Sequence, residues 1–124
     1  MIWISTQYNH PPQGLKVLCF KNGDCWTAYR FSYKDENIWI AGVPSCNLNP
    51  KRTYKMGRCD EPEYWALIPF EQLPGTYTGR MMIKAKDDDN LYDMDQFQVK
   101  YPKEHSYFVK GIAYSKNDLP KKKK

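Results

Sequence analysis

The densest set of groups that could do chemistry is the string Asp87-Asp88-Asp89-Asn90-Leu91-Tyr92-Asp93-Met94-Asp95. Closely spaced carboxylates suit a hard cation such as calcium, which takes several oxygen ligands. The string lacks the glycine and the distal glutamate of an EF-hand loop, so it reads as a solvated acidic turn. General acid–base work would fall to His10 and His105, each beside proline or charged residues in a segment read as loop. Pairing a cysteine with either as nucleophile and base would need two distant loops to meet. The four cysteines, Cys19, Cys25, Cys46 and Cys59, include no C-x-x-C pair, which removes zinc-ribbon and thioredoxin patterns. A metal site of Cys46, Cys59 and His10 or His105 is only weakly suggested by residue type. There is no G-x-S-x-G, no P-loop and no H-E-x-x-H. The expectation is a protein that is not an enzyme, with no cofactor and no metal.

Binding chemistry is better represented. Aromatics alternate with bases in Tyr29-Arg30-Phe31, Lys51-Arg52-Thr53-Tyr54-Lys55 and Tyr107-Phe108-Val109-Lys110. Small β domains hold single-stranded nucleic acid by stacking bases on such aromatics beside Lys and Arg. Arg30, Lys51, Arg52, Tyr54 and Lys55 are the candidates for that reading. The charge distribution weighs against it. The net charge is +5, and setting aside the run Lys121–Lys124 takes it to +1, a nearly neutral body. Protein interfaces favour Tyr, Trp, Met and Arg, and the chain holds ten Tyr. Lys51, Arg52, Tyr54, Lys55, Met56 and Arg58 form a candidate partner-binding loop, and Tyr77, Met81 and Met82 a further one if exposed.

The elements that must position these residues read as strands. Trp3–Thr6 is short, apolar and β-branched, and His10-Pro11-Pro12-Gln13-Gly14 ends it. Leu15–Phe20 and Cys25–Tyr33 flank Asn22-Gly23, a type I′ hairpin signal. That register puts Phe20 opposite Cys25 and Cys19 opposite Trp26, so Cys19 and Cys25 face opposite ways and do not bridge. Lys34-Asp35-Glu36-Asn37 is a polar turn before a strand at Ile38–Ala41. Ser45–Pro62 reads as a long loop or loose hairpin. Glu63–Phe70 is a strand, Pro74-Gly75 a subdomain boundary, and Thr76–Ala85, Gln96–Tyr101 and Ser106–Tyr114 further strands. No sustained helical period stands out.

A chain of 124 residues with 41% hydrophobic and 15% aromatic residues can bury a core, which excludes full disorder. No run approaches the length of a membrane helix, and Met1–Ser5 lacks the basic and apolar regions of a signal peptide. The expectation is a cytoplasmic protein with reduced cysteines. Its fold would be mostly β, a small twisted antiparallel sheet or barrel with few short helices. It would be one domain over 1–120, with a β-rich extension over 75–120 and a basic disordered tail over 121–124. Strand edges also allow a homodimer.

Residues 3–74 resemble a known family. Trp3-Ile4-Ser5, Pro11-Pro12 with Gly14, Val17-Leu18, a hairpin, an aromatic strand with Trp39, and Tyr64-Trp65-x-x-Ile68-Pro69-x-x-x-Leu73-Pro74 are similar to the domain of unknown function 551 family of phage and prophage accessory proteins. That family usually has His before the closing Trp, where this chain has Tyr64. The resemblance implies a phage-encoded protein acting inside a bacterial host. It carries no catalytic residues. With the missing catalytic motifs and the many tyrosines, the expected function is to bind a host protein and block or redirect it, in host takeover or anti-defence. Single-stranded nucleic-acid binding is the alternative.

Overall fold

Turn chemistry divides the first part of the chain into antiparallel strands. The computed structural model describes residues 1–43, 55–75 and 78–113. β1 (Ile4–Ser5) is followed by β2 (Val17–Lys21) and β3 (Asp24–Tyr33). Between the last two, Asn22 and Gly23 take φ of 50° and 84°, the left-handed pair of a type I′ turn. The register is the expected one, Phe20 opposite Cys25 and Cys19 opposite Trp26. Cys19 is accordingly buried and Cys25 exposed. A second two-residue turn, Lys34-Asp35, leads into β4 (Glu36–Val43). β5 (Lys55–Arg58) and β6 (Tyr64–Leu67) complete the sheet.

The strand order is β1-β6-β2-β3-β4-β5, antiparallel throughout. The sheet is open, not a barrel. β1 and β5 are its outer strands, and helices cover one face in place of curling. The segment Ser45–Pro62, expected as a long loop or loose hairpin, contributes β5, paired antiparallel with β4 from Val43–Lys55 to Ile40–Arg58.

The second part of the chain differs from expectation. The segments read as strands at Gln96–Tyr101 and Ser106–Tyr114 lie in helices, α1 (Met94–Lys100) and α2 (Pro102–Ala113). Asp93 caps α1 by accepting a hydrogen bond from the Gln96 N–H at 2.8 Å, and Pro102 opens α2, where its missing N–H costs nothing. Phe97, His105, Val109 and Ala113 are buried and Tyr101, between the two helices, is partly so, and these residues recur every fourth position. Among the described residues of the strand expected over Thr76–Ala85, Met82–Ile83 form β7, paired across the acidic turn with β8 (Tyr92–Asp93). Over its described residues, 75–120 is thus mainly helical rather than β-rich.

Two apolar clusters hold the layers. Phe31, Tyr33, Ile38 and Ile40 on one sheet face meet Met94, Phe97, Val109 and Ala113 from the helices. The core therefore crosses the expected Pro74-Gly75 boundary. On the opposite face Leu15, Val17, Cys19, Ala28, Trp39 and Trp65 pack together. Trp39 and Trp65 meet there, while Trp3 lies elsewhere, against Phe20.

β3 outruns β2, and the Pro11–Gly14 segment fills the gap. β2 pairs with β3 only as far as Ala28. Beyond that, the Gly14 N–H donates to the Arg30 carbonyl at 3.0 Å. The Ser32 N–H donates to Gln13 Oε1 at 2.9 Å, and Arg30 Nε donates to the Pro11 carbonyl at 2.8 Å. The strand's exposed backbone is thereby satisfied by a proline-bearing segment that cannot itself extend the sheet.

Candidate docking surface

The residues singled out in the sequence fall in several places. Lys51, Arg52 and Tyr54, with Cys46, Tyr77 and Lys121–Lys124, lie outside the described residues. Lys55 and Met56 sit in β5 opposite Val43 and Gly42, and Arg58 is exposed opposite Ile40, all at the edge of the sheet furthest from β1. Arg30 is half-buried. Besides Pro11 it holds Asn37, with Nη1 donating to Oδ1 at 2.8 Å, so its guanidinium is turned to internal work. Met81 is partly buried against the core and Met82 is exposed.

The two histidines belong to linked structural networks. Asn37 Nδ2 donates to His10 Nε2 at 3.2 Å. His105 and Gln13 are only 2% and 3% exposed. Gln13 Nε2 donates to Asp95 Oδ1 at 3.1 Å and to Gln98 Oε1 at 2.6 Å. Its Oε1 accepts from the Ser32 N–H, which fixes the amide's orientation. The 2.8 Å contact between Gln13 Oε1 and His105 Nε2 then requires the imidazole proton on Nε2. Burial lowers the His105 pKa, and Asp95 partly opposes the shift. All four hydrogen-bonding positions of this amide are filled, so the cluster ties α1 and α2 to β3.

The acidic turn is also organised internally. Asp88 Oδ2 accepts from the Tyr92 and Tyr101 hydroxyls, each at 2.6 Å, and Asp88 Oδ1 accepts from the Asn90 N–H at 2.9 Å. The Tyr101 and Tyr92 phenols hold the Asp88 carboxyl well below the usual carboxylate range. Lys100 donates to the Tyr92 hydroxyl at 2.8 Å and lies over both rings. Asp93 caps a helix and Asp95 serves Gln13. Among the described residues no group of three or more His, Cys, Asp or Glu is placed to hold a metal ion.

Among the described residues, one end of the sheet carries a contiguous exposed aromatic surface. The helices pack over β3, β4 and β5. On the same face, at the β1-β6-β2 end, Trp3, Phe20 and Tyr64 form an aromatic row. Ring centroids are 5.9 Å apart for Trp3–Phe20 and 6.4 Å for Phe20–Tyr64. Register places them together: Phe20 is opposite Tyr64 and Cys25, and Tyr64 is opposite Ser5. Trp3 and Tyr64 are 41% and 43% exposed, and Met1 and Ile2, leading into Trp3, are more so. With Cys25 the row lines an apolar concavity of about 420 Å³. Beyond Tyr64 the surface turns acidic, with Asp60, Glu61 and Glu63 exposed. Sequence reading missed this surface because its members come from β2, β3, β6 and the residue just before β1. Only the hairpin register linking Phe20 to Cys25 was legible.

Among the described residues no helix is long and apolar enough to cross a membrane. No protein-family model, curated protein or solved structure matches this chain.

Proposed function

We propose that this chain is a non-enzymatic binding protein that engages another protein through the aromatic end of its sheet. The observation that carries the reading is the Trp3–Phe20–Tyr64 row, left uncovered by the described residues on a face whose other half is sealed by helices. Large aromatics at the centre of a patch with a polar rim are the usual anchors of protein interfaces. Carboxylates flanking the row disfavour a polyphosphate there, so nucleic acid is the weaker reading. The resemblance to phage accessory proteins makes a bacterial host protein the proposed partner, bound so that its own surface is blocked or redirected.

The test is an affinity capture from nuclease-treated bacterial lysate with wild-type protein and Trp3→Ala/Tyr64→Ala. One host protein retained stoichiometrically by wild type and lost from the double variant is the expected result. Equal retention by both, or retention of nucleic acid alone before nuclease, would sink the proposal.

A further inference from the structure

We propose that the occupant of this surface is a basic segment of the partner protein. The aliphatic stem of its Lys or Arg lies along Trp3, Phe20 and Tyr64, and its cationic head enters the groove beside Asp60 and Glu61. The inference rests on the docking reading above and adds the chemistry of the partner.

Two concavities meet at Tyr64. One is the apolar hollow of Trp3, Phe20 and Cys25. The other, about 480 Å³, is lined by Ser5, Lys21, Asp60, Glu61 and Glu63 among others. Three carboxylates against one lysine leave this groove negative, in a body whose charge is otherwise near balance. The lysine is weakly committed: Lys21 Nζ is 3.7 Å from an Asp60 carboxylate that is 83% exposed.

The acidic wall is preorganised. The Thr6 hydroxyl donates to the Pro62 carbonyl at 2.7 Å. The Thr6 N–H donates to the Glu63 carbonyl at 3.1 Å, and the Glu63 N–H to the Phe20 carbonyl at 2.9 Å. Pro62 is fully buried, so the Asp60–Glu63 strap cannot drift from the sheet. The backbone that carries Asp60 and Glu61 is therefore already in place for an occupant, and only their exposed side chains have to settle.

An aromatic row next to carboxylates on a held backbone matches one kind of side chain. Lys and Arg carry an apolar stem that covers aromatic surface and a head that ring faces and carboxylates attract. An acidic segment would be repelled, and a purely apolar one would leave the groove unused.

Cys25 supplies the assay, because it lines the hollow and is exposed, whereas burial pushes the Cys19 thiol up to about 12 and raises that of Cys59. The full-length protein is alkylated with iodoacetamide, and each cysteine is followed by peptide mapping. Probes are the capped peptide Gly-Val-Arg-Val-Arg-Val-Gly and versions with Glu or norleucine in place of Arg. The Arg peptide is expected to slow Cys25 alkylation saturably, and to lose about tenfold in affinity against Asp60→Asn/Glu61→Gln, the loss of one charge-assisted contact. Both substitutions lie on exposed side chains, so folding is retained. Equal protection by the norleucine peptide, or better protection by the Glu peptide, would overturn the basic occupant while leaving the docking surface standing. Protection by none of the three at millimolar concentration would overturn both. Protection by a DNA oligonucleotide alone would overturn it in favour of nucleic acid. Protection that grows with protein concentration and needs no peptide would overturn it in favour of a second copy of this chain.

Discussion

His105 is held neutral by what surrounds it. Its Nε2 proton is committed to Gln13, and burial lowers its folded pKa below the ordinary 6.5. The unfolded chain takes up the second ring proton more readily, so the contribution to stability is complete above about pH 6.5 and declines as pH falls through that value toward the folded one. Urea unfolding at pH 7 and pH 5 is expected to show a lower midpoint at pH 5, and His105→Gln to reduce that difference. Gln13→Ala strands the Ser32 N–H and the His105 Nε2–H without an acceptor. It is expected to cost about 2–4 kcal/mol, read from the same urea curves. Neither residue announced this role in the sequence. His105 reads as a loop histidine because its partner lies far away in the chain, and only the fold brings an amide, a carboxylate and an imidazole together. The opposite faces of Cys19 and Cys25 were legible, since period two in a strand needs only the turn to be placed.

Elements were readable where a turn forced them. Asn22-Gly23 admits one register, and the structure has it. The Lys34-Asp35 turn is the same shape built from a poorer pair, with φ of 49° and 62°; the lysine resists the left-handed region, and the aspartate tolerates it less well than glycine. Lys34→Asn with Asp35→Gly is expected to stabilise the protein by about 1 kcal/mol, measured as a higher urea midpoint with an unchanged slope. The helices escaped notice for a physical reason. Tyr, Phe, Val and Ile are strand-favouring residues, and Pro102 breaks the window over which a period of about four would be counted. The signals present were the fourfold ladder from Phe97 to Ala113 and Asp93 three residues before Gln96, a capping pattern. Tertiary burial of that ladder against Phe31 and Ile40 outweighs local propensity.

At the scale of the molecule, the Pro11–Gly14 segment joins the sheet to both helices. Gly14 has φ of 71°, and a Cβ there would run into Met94 and crowd Met81. Gly14→Ala is therefore expected to destabilise the whole fold by about 2–4 kcal/mol, seen as one cooperative transition shifted down in thermal unfolding. The Pro-Pro-x-Gly string was visible in the sequence as a strand breaker. Its work as a surrogate strand was not, because that depends on β3 being longer than β2. The docking surface likewise exists only once β6 is inserted between β1 and β2. Its placement also has an optical consequence. Of the four tryptophans, Trp39 and Trp65 are buried and Trp26 is half-buried, while Trp3 alone is exposed, at the edge of the aromatic row. A water-borne quencher such as acrylamide should dim chiefly that one indole, so the native emission divides into a shielded part that reports folding and an accessible part that reports whether the surface is occupied.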